Sequence, residues 1–306
     1  MDLLHLRYFQ SIARFQHMTR ASAHLNVSQP ALSKILRQLE EELGVRLFDR
    51  VGKSLSLNED GRILLKYTDI AFRALEDART EMLDRREVGE NRVNVSLKVA
   101  LSCWTDLVVL FKKRHPEIGL FYKYHHVRFA KEIPSDLIFY ASSYEAKGDN
   151  VVRLGEEPFS LLLPCAHPLA GRESVLLREV RDEPFICTSD DELRRTTEEM
   201  CRVAGFMPNV TMEADIYTNI LDYVKHGFGV SIVPSFTWMY QPAPGLSLVT
   251  IRDVVRTRHM YLTWRENAYL SRAVRTLRDF IVAFFGESNL QKDEAGARVG
   301  GSGLEM

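Results

Sequence analysis

The chain has 306 residues, of which 45% are hydrophobic, and its formal net charge at pH 7 is −1. This length suits two or three domains with substantial cores. Neither a secretory signal nor an apolar run near the roughly 18 residues of a membrane span is found, which argues against a membrane protein and predicts a cytoplasmic one. The four cysteines have no CxxC or His-spaced pattern, so we expect neither a metal site nor a cofactor.

Basic residues are concentrated at the start of the chain. Residues 1 to 57 carry eight Lys and Arg against five Asp and Glu, a net charge of +3, whereas the other 249 residues carry −4. A basic segment in an otherwise acidic protein is suited to contact with a polyanion such as a nucleic acid.

Residues 19 to 43 have the pattern of two helices joined by a tight turn. Thr19 is the expected N-cap of the first helix, Asn26 suits the left-handed conformation at its end, and Ser28 is the expected N-cap of the second helix. Pro30 falls in the first turn of that second helix, where a missing N–H costs nothing. One face of the helix carries Leu32, Leu36, Leu39 and Leu43.

The opposite face of the second helix is polar and carries Gln29, Ser33, Lys34 and Arg37. Acidic residues follow at positions 40 to 42, where they oppose both the helix dipole and any phosphate. We therefore predict that the N-terminal half of this helix enters a groove of double-stranded DNA, whose base edges amide and guanidinium groups can read. The alternative is a three-helix bundle with an ordinary solvated polar face.

A basic hairpin is predicted directly after this helix. Gly44 is the expected C-cap, and residues 45 to 57 form two short extended runs around a Gly-containing turn. Arg50 and Lys53 lie near the tip, where they can contact phosphates or the minor groove. The residues predicted to contact DNA are Thr19, Arg20, Ser28, Gln29, Pro30, Ser33, Lys34, Arg37, Arg50 and Lys53.

Several segments of the chain resemble those of LysR-type transcriptional regulators over about residues 1 to 286. They are SQPALS at 28–33, LE at 39–40, LGVRLFDR at 43–50, HPLA at 167–170, EPFI at 183–186 and GFGVSIVP at 227–234. The resemblance implies an α/β multidomain protein with an N-terminal winged helix-turn-helix, a linker helix and a two-lobed effector-binding domain resembling type 2 periplasmic binding proteins. It also implies RNA polymerase as a partner and assembly into a homodimer or homotetramer.

Residues 59 to 90 are expected to form a linker helix and a hinge after the DNA-binding domain at 1–58. Asn58 is a candidate cap, and an apolar seam close to coiled-coil spacing runs through Leu64, Tyr67, Ala71, Ala74, Ala78 and Met82. Two copies are predicted to pair along this seam and so to present two recognition helices to two half-sites. The alternative is a helix packed on its own subunit's core. The hinge is expected at residues 89 to 92.

Residues 91 to 286 alternate between strand and helix patterns, as an α/β effector-binding domain would. Lobe I is expected at about 91–160 and 266–286, and lobe II at about 161–265. Strands are predicted at 93–101, 118–124, 137–141, 159–164, 210–213, 230–233 and 261–264, and helices at about 104–115, 190–204, 217–226 and 268–285. Residues 287 to 306 are polar and Gly-rich at the end and are predicted to be a disordered tail.

The effector is expected between the lobes, where helix N-termini converge. Hydroxyl-rich helix starts favour a small anion or carboxylate, although these hydroxyls also suit plain N-caps. The predicted effector-binding residues are Ser102, Cys103, Thr105, His126, Arg128, Thr188, Ser189, Gly227 and Phe228. His126 and Arg128 lie in a stretch, residues 125 to 136, that is shorter than the family's usual helix and turn.

Three rival functions are less favoured by the sequence. An enzyme is disfavoured because the chain has no GxSxG elbow, glycine-rich phosphate loop or HExxH sequence. A redox sensor would use Cys187 and Cys201, but their separation differs from that of peroxide-sensing relatives, and Leu193 stands near the reactive position. An effector-independent DNA-binding protein would not need a cleft.

Overall fold

The computed structural model describes residues 1–51, 54–86, 91–124, 135–189, 191–241 and 243–298, with only the backbone described at 50, 51, 54, 191 and 287–298. The chain divides into two compact units, Met1–Gly89 and Glu90–Met306. None of the helices in these ranges has the length and apolar character needed to cross a membrane.

The first unit contains four helices and a hairpin among its described residues. They are α1 (Leu3–Phe15), α2 (Met18–Leu25), α3 (Gln29–Leu43), β1 (Phe48–Val51), β2 (Ser54–Leu57) and α4 (Glu59–Arg85). The strands of the hairpin are antiparallel, as predicted for the wing. One apolar cluster joins the helices to the hairpin, and its members are Leu6, Phe9, Ile12, Ala13, Ala21, Leu32, Leu36, Leu39, Leu47 and Phe48.

The predicted caps of α3 and the predicted C-cap of α2 are confirmed, whereas the predicted N-cap of α2 is not. The Ser28 hydroxyl accepts the Ala31 N–H, and Asn26 and Gly44 adopt left-handed conformations at φ 54° and 70°. The prediction that Thr19 is the N-cap of α2 is wrong, because the helix begins at Met18 and His17 occupies the cap position without a side-chain hydrogen bond. Leu43 is also more exposed than the other leucines of α3, since it lies in the last turn.

α4 is anchored at its start and exposed along much of its length. The Asn58 side chain accepts the Gly61 N–H at 2.9 Å and donates to the Arg46 carbonyl at 2.8 Å, which confirms the predicted cap. Leu64 of the predicted dimer seam packs partly against the core of the first unit, together with Leu65 and Phe72. An exposed apolar stripe runs through Ile63, Tyr67, Ile70, Ala74 and Ala78, and Ala71 and Met82 of the predicted seam are also exposed.

Lobe I of the second unit is a mixed sheet flanked by two helices. Its strands follow the order β4 (Gly119–Tyr124), β3 (Arg92–Leu97), β5 (Leu137–Ser142), β12 (Thr257–Thr263) and the first part of β6 (Val151–Pro164). The helices are α5 (Trp104–Arg114) and α9 (Arg272–Arg298). α9 returns to the lobe I core with Leu277, Ile281 and Phe285, as expected for the last helix.

Lobe II is built on the second part of β6. Antiparallel β10 (Ser231–Pro234) and β11 (Leu246–Ile251) pair with β6, and β7 (Ser174–Val175) extends the sheet beside β11. A separate parallel pair is formed by β8 (Pro184–Thr188) and β9 (Asn209–Ala214). The remaining elements are a 3-10 helix (Leu177–Val180), α6 (Asp191–Val203), α7 (Tyr217–Lys225) and α8 (Ser235–Trp238).

Several predicted boundaries differ from the structure. β3 ends at Leu97, not Leu101, and β6 begins at Val151, well before the predicted strand. β12 pairs with β5 and β6 in the lobe I sheet, so the chain returns to lobe I before Thr257 and not near residue 266. α9 continues to Arg298, beyond the predicted start of the disordered tail at 287, and the rest of the tail lies outside the described residues.

Candidate DNA-binding surface and effector cavity

The polar face of α3 is available for contact. Gln29, Lys34 and Arg37 are exposed, and Ser33 is half-buried on the same side of the helix. Their orientation follows from the burial of Leu32, Leu36 and Leu39, which fix the opposite face in the core. The outward face therefore carries an amide, a hydroxyl and two cations, a set that suits both base edges and phosphates.

The start of α2 and the start of α3 are joined by side chains of the predicted site. The Thr19 hydroxyl donates to the Gln29 carbonyl oxygen Oε1 at 3.2 Å. Arg20 is exposed beside Thr19, and Ser28 and Pro30 are exposed at the first turn of α3. This bond restrains the Gln29 side chain, so its amide is partly oriented in advance of any ligand contact.

The acidic end of α3 is held by the wing and the N-terminus. The Glu40 carboxylate accepts the Leu47 N–H at 2.8 Å, and Glu42 contacts the amino group of Met1. These contacts hold two carboxylates at the end of α3 that is remote from Gln29. The Arg50 backbone pairs with Leu55 in the hairpin, while the Arg50 side chain and all of Lys53 lie outside the described residues.

A cavity of about 340 Å³ lies in the second unit where α5 of lobe I meets α7 of lobe II. The end of α8 and the segment after it line another part of the cavity. The lining residues are Ser102, Asp106, Tyr217, Thr218, Leu221, Trp238, Met239, Tyr240, Gln241 and Ala243. This volume is within the usual range for sites of small organic ligands.

Among the predicted effector residues that the structure describes, Ser102 is the one that lines this cavity. Its N–H donates to the Thr237 carbonyl at 2.7 Å, and its hydroxyl oxygen accepts the Tyr240 N–H at 3.1 Å. Both partners belong to the segment that starts in α8. Ser102 therefore positions this segment against the start of α5, as well as presenting an oxygen to the cavity.

The other predicted effector residues are dispersed. Cys103 is fully buried in the lobe I core, and Thr105 is exposed but does not line the cavity. Thr188 ends β8, and the Ser189 hydroxyl donates to the Asp215 carboxylate. His126 and Arg128 lie outside the described residues.

Gly227 and Phe228 lie beyond the C-terminal end of α7, whereas the cavity contacts its first turns. About ten residues of largely helical chain separate Phe228 from Tyr217, roughly 15 Å along the axis. Gly227 adopts φ 76° after the helix, and the exposed Phe228 ring stacks on His226 at 6.3 Å. The structure thus places Gly227 and Phe228 in lobe II, away from the cavity beside Ser102.

Two tyrosines near the cavity were missed by the sequence analysis. Burial, together with the nearby phenols of Tyr217 and Tyr122 and the Cys103 thiol, raises the pKa of Tyr124 to about 12. Burial also raises the pKa of Tyr217, whose ring lies 5.7 Å from that of Trp238. Only their positions, at the end of a strand and at the start of a helix, could have marked them in the sequence.

A buried ion pair joins the two connecting strands beside α8. The Arg258 Nε donates to Glu157 Oε1 at 2.8 Å, and both side chains are almost completely buried. Glu157 Oε2 accepts the N–H groups of Phe236 and Thr237 at 2.9 and 2.7 Å. Phe236 packs in the lobe I core and Trp238 in that of lobe II, so α8 contacts both cores.

The chemistry of the buried cysteines and of metal sites is restricted. Burial raises the pKa of the Cys187 thiol to about 11 and that of Cys201 to about 12. Such thiols are neutral at physiological pH and react slowly. Within the described ranges no group of three or more His, Cys, Asp or Glu side chains is placed to hold a metal ion.

Comparison with known proteins gives two family matches and several full-length relatives. The model for bacterial regulatory helix-turn-helix proteins of the lysR family matches residues 3–62, and the LysR substrate binding domain matches residues 84–286. The uncharacterized HTH-type transcriptional regulator YybE of Bacillus subtilis (strain 168) is 30% identical over 94% of this chain and 100% of its own length. AlsR, an HTH-type transcriptional regulator of the same organism, is 29% identical over 77% of this chain and 81% of its own.

Two solved structures share the fold. A full-length OxyR variant from Pseudomonas aeruginosa has a TM-score of 0.63 and 22% identity, with coverage of 92% of this chain and 94% of its own. HinK, a LysR family transcriptional regulator from Pseudomonas aeruginosa, has a TM-score of 0.52 and 21% identity, with coverage of 94% and 99%. LysR regulators bind DNA and small-molecule effectors and are oligomeric. Because the matched domains span most of the sequence, the chain belongs to the LysR family of transcriptional regulators.

Proposed function

We propose that the protein binds a specific operator as a dimer through the N-terminal half of α3, and that a small molecule in the cavity beside Ser102 changes how it binds. Operator binding is supported above all by Gln29, Lys34 and Arg37, which are exposed on a helix whose other face is buried. The N-terminal half of a helix with this composition enters a major groove in helix-turn-helix proteins.

Dimerisation is supported by the exposed stripe on α4. Tyr67 is 61% exposed and Ile70 is 52% exposed, although both are large and apolar. Ile63, Tyr67, Ile70 and Ala74 recur at steps of four, three and four, the spacing at which two helices interlock. A second copy of α4 would cover the stripe and set the distance between two copies of α3.

Control by an effector is supported by the hydrogen bonds around the cavity. Ser102 binds Thr237, and the Thr237 N–H and hydroxyl both donate to the buried Glu157 carboxylate. A ligand that contacts Trp238 and Tyr240 thus touches the segment that joins the lobe cores. It shifts the lobes to the extent that its affinities for their two arrangements differ.

A cysteine-based redox sensor receives less support. Some of the solved structures are of OxyR, including one with bound H₂O₂, and their identity of about 22% bears on the fold alone. A peroxide-reactive cysteine needs an accessible, acidic thiol, whereas Cys187 and Cys201 are buried with raised pKa values. An effector-independent DNA-binding protein is the remaining alternative.

Footprinting on the DNA beside the protein's own gene, with and without candidate metabolites, tests the proposal. We expect a protected site without ligand and an altered footprint with an effector. Thr218→Trp, which fills the cavity from α7, should abolish the response while leaving the ligand-free footprint intact. Glu199→Trp, at an exposed position of α6, is the control. If the protein protects no DNA site, the proposed operator binding is wrong. If no metabolite changes the footprint, the proposed effector control is wrong.

A further inference from the structure

The charges around the cavity do not match the small carboxylate expected from the sequence. Among the lining residues that the structure describes, Asp106 is the one charged side chain, and none is Lys, Arg or His. Carboxylate ligands are usually held by cations or by several N–H donors. The described lining offers an anionic ligand one like charge and no side-chain cation, and its positive end is the uncapped first turn of α7.

Asp106 is available to a ligand. It lies in the first turn of α5, half-buried, and its Oδ2 accepts the Gln241 side-chain amide at 3.1 Å. Within the described part of the chain this is its one polar partner, so Oδ1 remains open to a donor. A hydrogen bond from an ammonium group to a carboxylate is roughly twice as strong as one between neutral groups.

Three aromatic residues contribute to the remaining lining. Tyr217, Trp238 and Tyr240 line the cavity, and the first two lie with ring centroids 5.7 Å apart. Their π faces carry partial negative charge and attract cations, most strongly when water is excluded. Leu221 and Met239 add apolar surface for the body of a ligand.

The titration behaviour of nearby groups is consistent with this charge pattern. Burial raises the pKa of Tyr217 and, with the adjacent Tyr122, Tyr217 and Cys103, that of Tyr124. Both shifts arise where a negative charge is poorly solvated and is not compensated by a cation. A carboxylate placed beside these rings would meet the same penalty.

We infer that the cavity selects an organic cation, a protonated amine or quaternary ammonium on an apolar body, with Asp106 as the counter-ion and Tyr217, Trp238 and Tyr240 as the aromatic wall. The inference rests on the proposed function, because it names the effector class of the same site. The volume of about 340 Å³ fits an amine of the size of a small aromatic metabolite.

Calorimetric titration of the full-length protein with three probes of equal size tests the charge preference. They are phenethylammonium, phenethyl alcohol and phenylacetate, which differ in charge but share the same ring and a similar length. We expect phenethylammonium to bind with millimolar or better affinity, and phenylacetate at least about tenfold more weakly, because one charge-assisted contact is worth that factor.

Asp106→Asn preserves the shape of the side chain and removes its charge. It should weaken phenethylammonium binding by about tenfold or more and leave phenethyl alcohol unaffected. Asp182→Asn, at an exposed site outside the cavity, is the matched control. The inference is overturned if phenethylammonium does not bind at millimolar concentration, if phenylacetate binds as tightly, or if Asp106→Asn leaves amine affinity unchanged.

Footprinting separates failure of this inference from failure of the proposed function. If a carboxylate changes the footprint and Thr218→Trp blocks that change, the cavity remains the effector site and the cation preference is wrong. If phenethylammonium binds in an Asp106-dependent way while no metabolite changes the footprint, the cation site stands and effector control of DNA binding fails.

Discussion

Glu157 and Arg258 form an ion pair, with Nε 2.8 Å from Oε1, on the two strands that connect lobe I to lobe II. The Arg258 Nη2 also donates to the Thr237 hydroxyl at 2.8 Å, so the guanidinium and the start of α8 share the same carboxylate. Both carboxylate oxygens of Glu157 and the Nε and Nη2 groups of Arg258 thereby have partners, as a buried charge requires.

Removing one partner of this pair should be costly. Arg258→Met leaves the Glu157 carboxylate buried without its cation, and we expect the free energy of unfolding to fall by about 3 to 5 kcal/mol. Urea denaturation measures the change. Glu156→Gln, at the neighbouring but exposed carboxylate, should change it by no more than about 1 kcal/mol. Equal effects of the two substitutions would contradict the role assigned to the buried pair.

Arg37 should contribute to sequence preference. Arg37→Ala removes a guanidinium from the exposed face of α3, and we expect specific operator affinity to fall by about 1 to 3 kcal/mol, with relaxed preference at one base step. Binding to a panel of single-base operator variants measures both effects. Arg79→Ala, at an exposed site on α4, is the control and should alter neither affinity nor base preference. If Arg37→Ala leaves the base preference unchanged, Arg37 does not contact base edges in the groove.

Gly61 should not tolerate a side chain. A Cβ at this position would overlap the Leu47 carbonyl oxygen and crowd the Leu57 side chain. We expect Gly61→Ala to lower the stability of the first unit by about 1 to 3 kcal/mol and to weaken operator binding with it. Gly171→Ala has open space around it and serves as the control in thermal unfolding. A neutral Gly61→Ala would show that α4 can shift away from the wing.

The stripe on α4 predicts the effect of a charge at its centre. Ile70→Glu should leave the monomer folded, because Ile70 is exposed on its own subunit. In the dimer the carboxylate would be buried without a partner, at a cost of several kcal/mol, so dimers should dissociate. Sedimentation analysis reports the change. Arg79→Glu, on the opposite side of the helix, should leave assembly intact, and an unchanged Ile70→Glu dimer would exclude this stripe as the interface.

The buried thiols should be slow to react. With a pKa of about 11, roughly one Cys187 thiol in ten thousand is ionised at pH 7. Alkylation followed by mass spectrometry should therefore modify the exposed Cys165 first, and peroxide should leave operator binding unchanged. Burial raises the pKa values of Cys187 and Cys201 above the usual thiol value of about 8.5. The neutral thiols therefore contribute fully to the free energy of unfolding below about pH 8.5, and this contribution is lost as pH rises through about 11 and 12. Early modification of Cys187 or Cys201 would contradict their burial.

The DNA-binding half could be predicted closely because its signals are local. Ser28, Pro30 and Gly44 each act within one turn of their own position, and the structure confirms all three. Thr19 was misplaced because a hydroxyl near a helix start suits either a cap or the first turn. Ser28 provided the cap of α3, while Thr19 hydrogen-bonds to Gln29 across the turn.

The second unit was less predictable because its key contacts join distant residues. Glu157 and Arg258 lie 101 residues apart, and no local pattern shows that they meet. β8 and β11 were missed as strands, since a short run such as PFICT lacks the clear alternation that marks a half-buried strand. The cavity likewise gathers Ser102 with Tyr217 and Tyr240, whose proximity arises only from the packing of α5, α7 and α8.

The close approach of Gly61 to Leu47 has a mechanical consequence. At this point the long helix meets the base of the wing with no side chain between them. Leu64, Leu65 and Phe72 pack on the same core, so α4 tilts together with the wing and α3. The 27 residues of α4 extend about 40 Å, so a tilt of a few degrees displaces the far end by several ångströms. In the reverse direction, a displacement of several ångströms at Arg85 becomes a small rotation of the wing and α3. Because α4 is long, a displacement of several ångströms at its C-terminal end corresponds to only a small change in the orientation of α3.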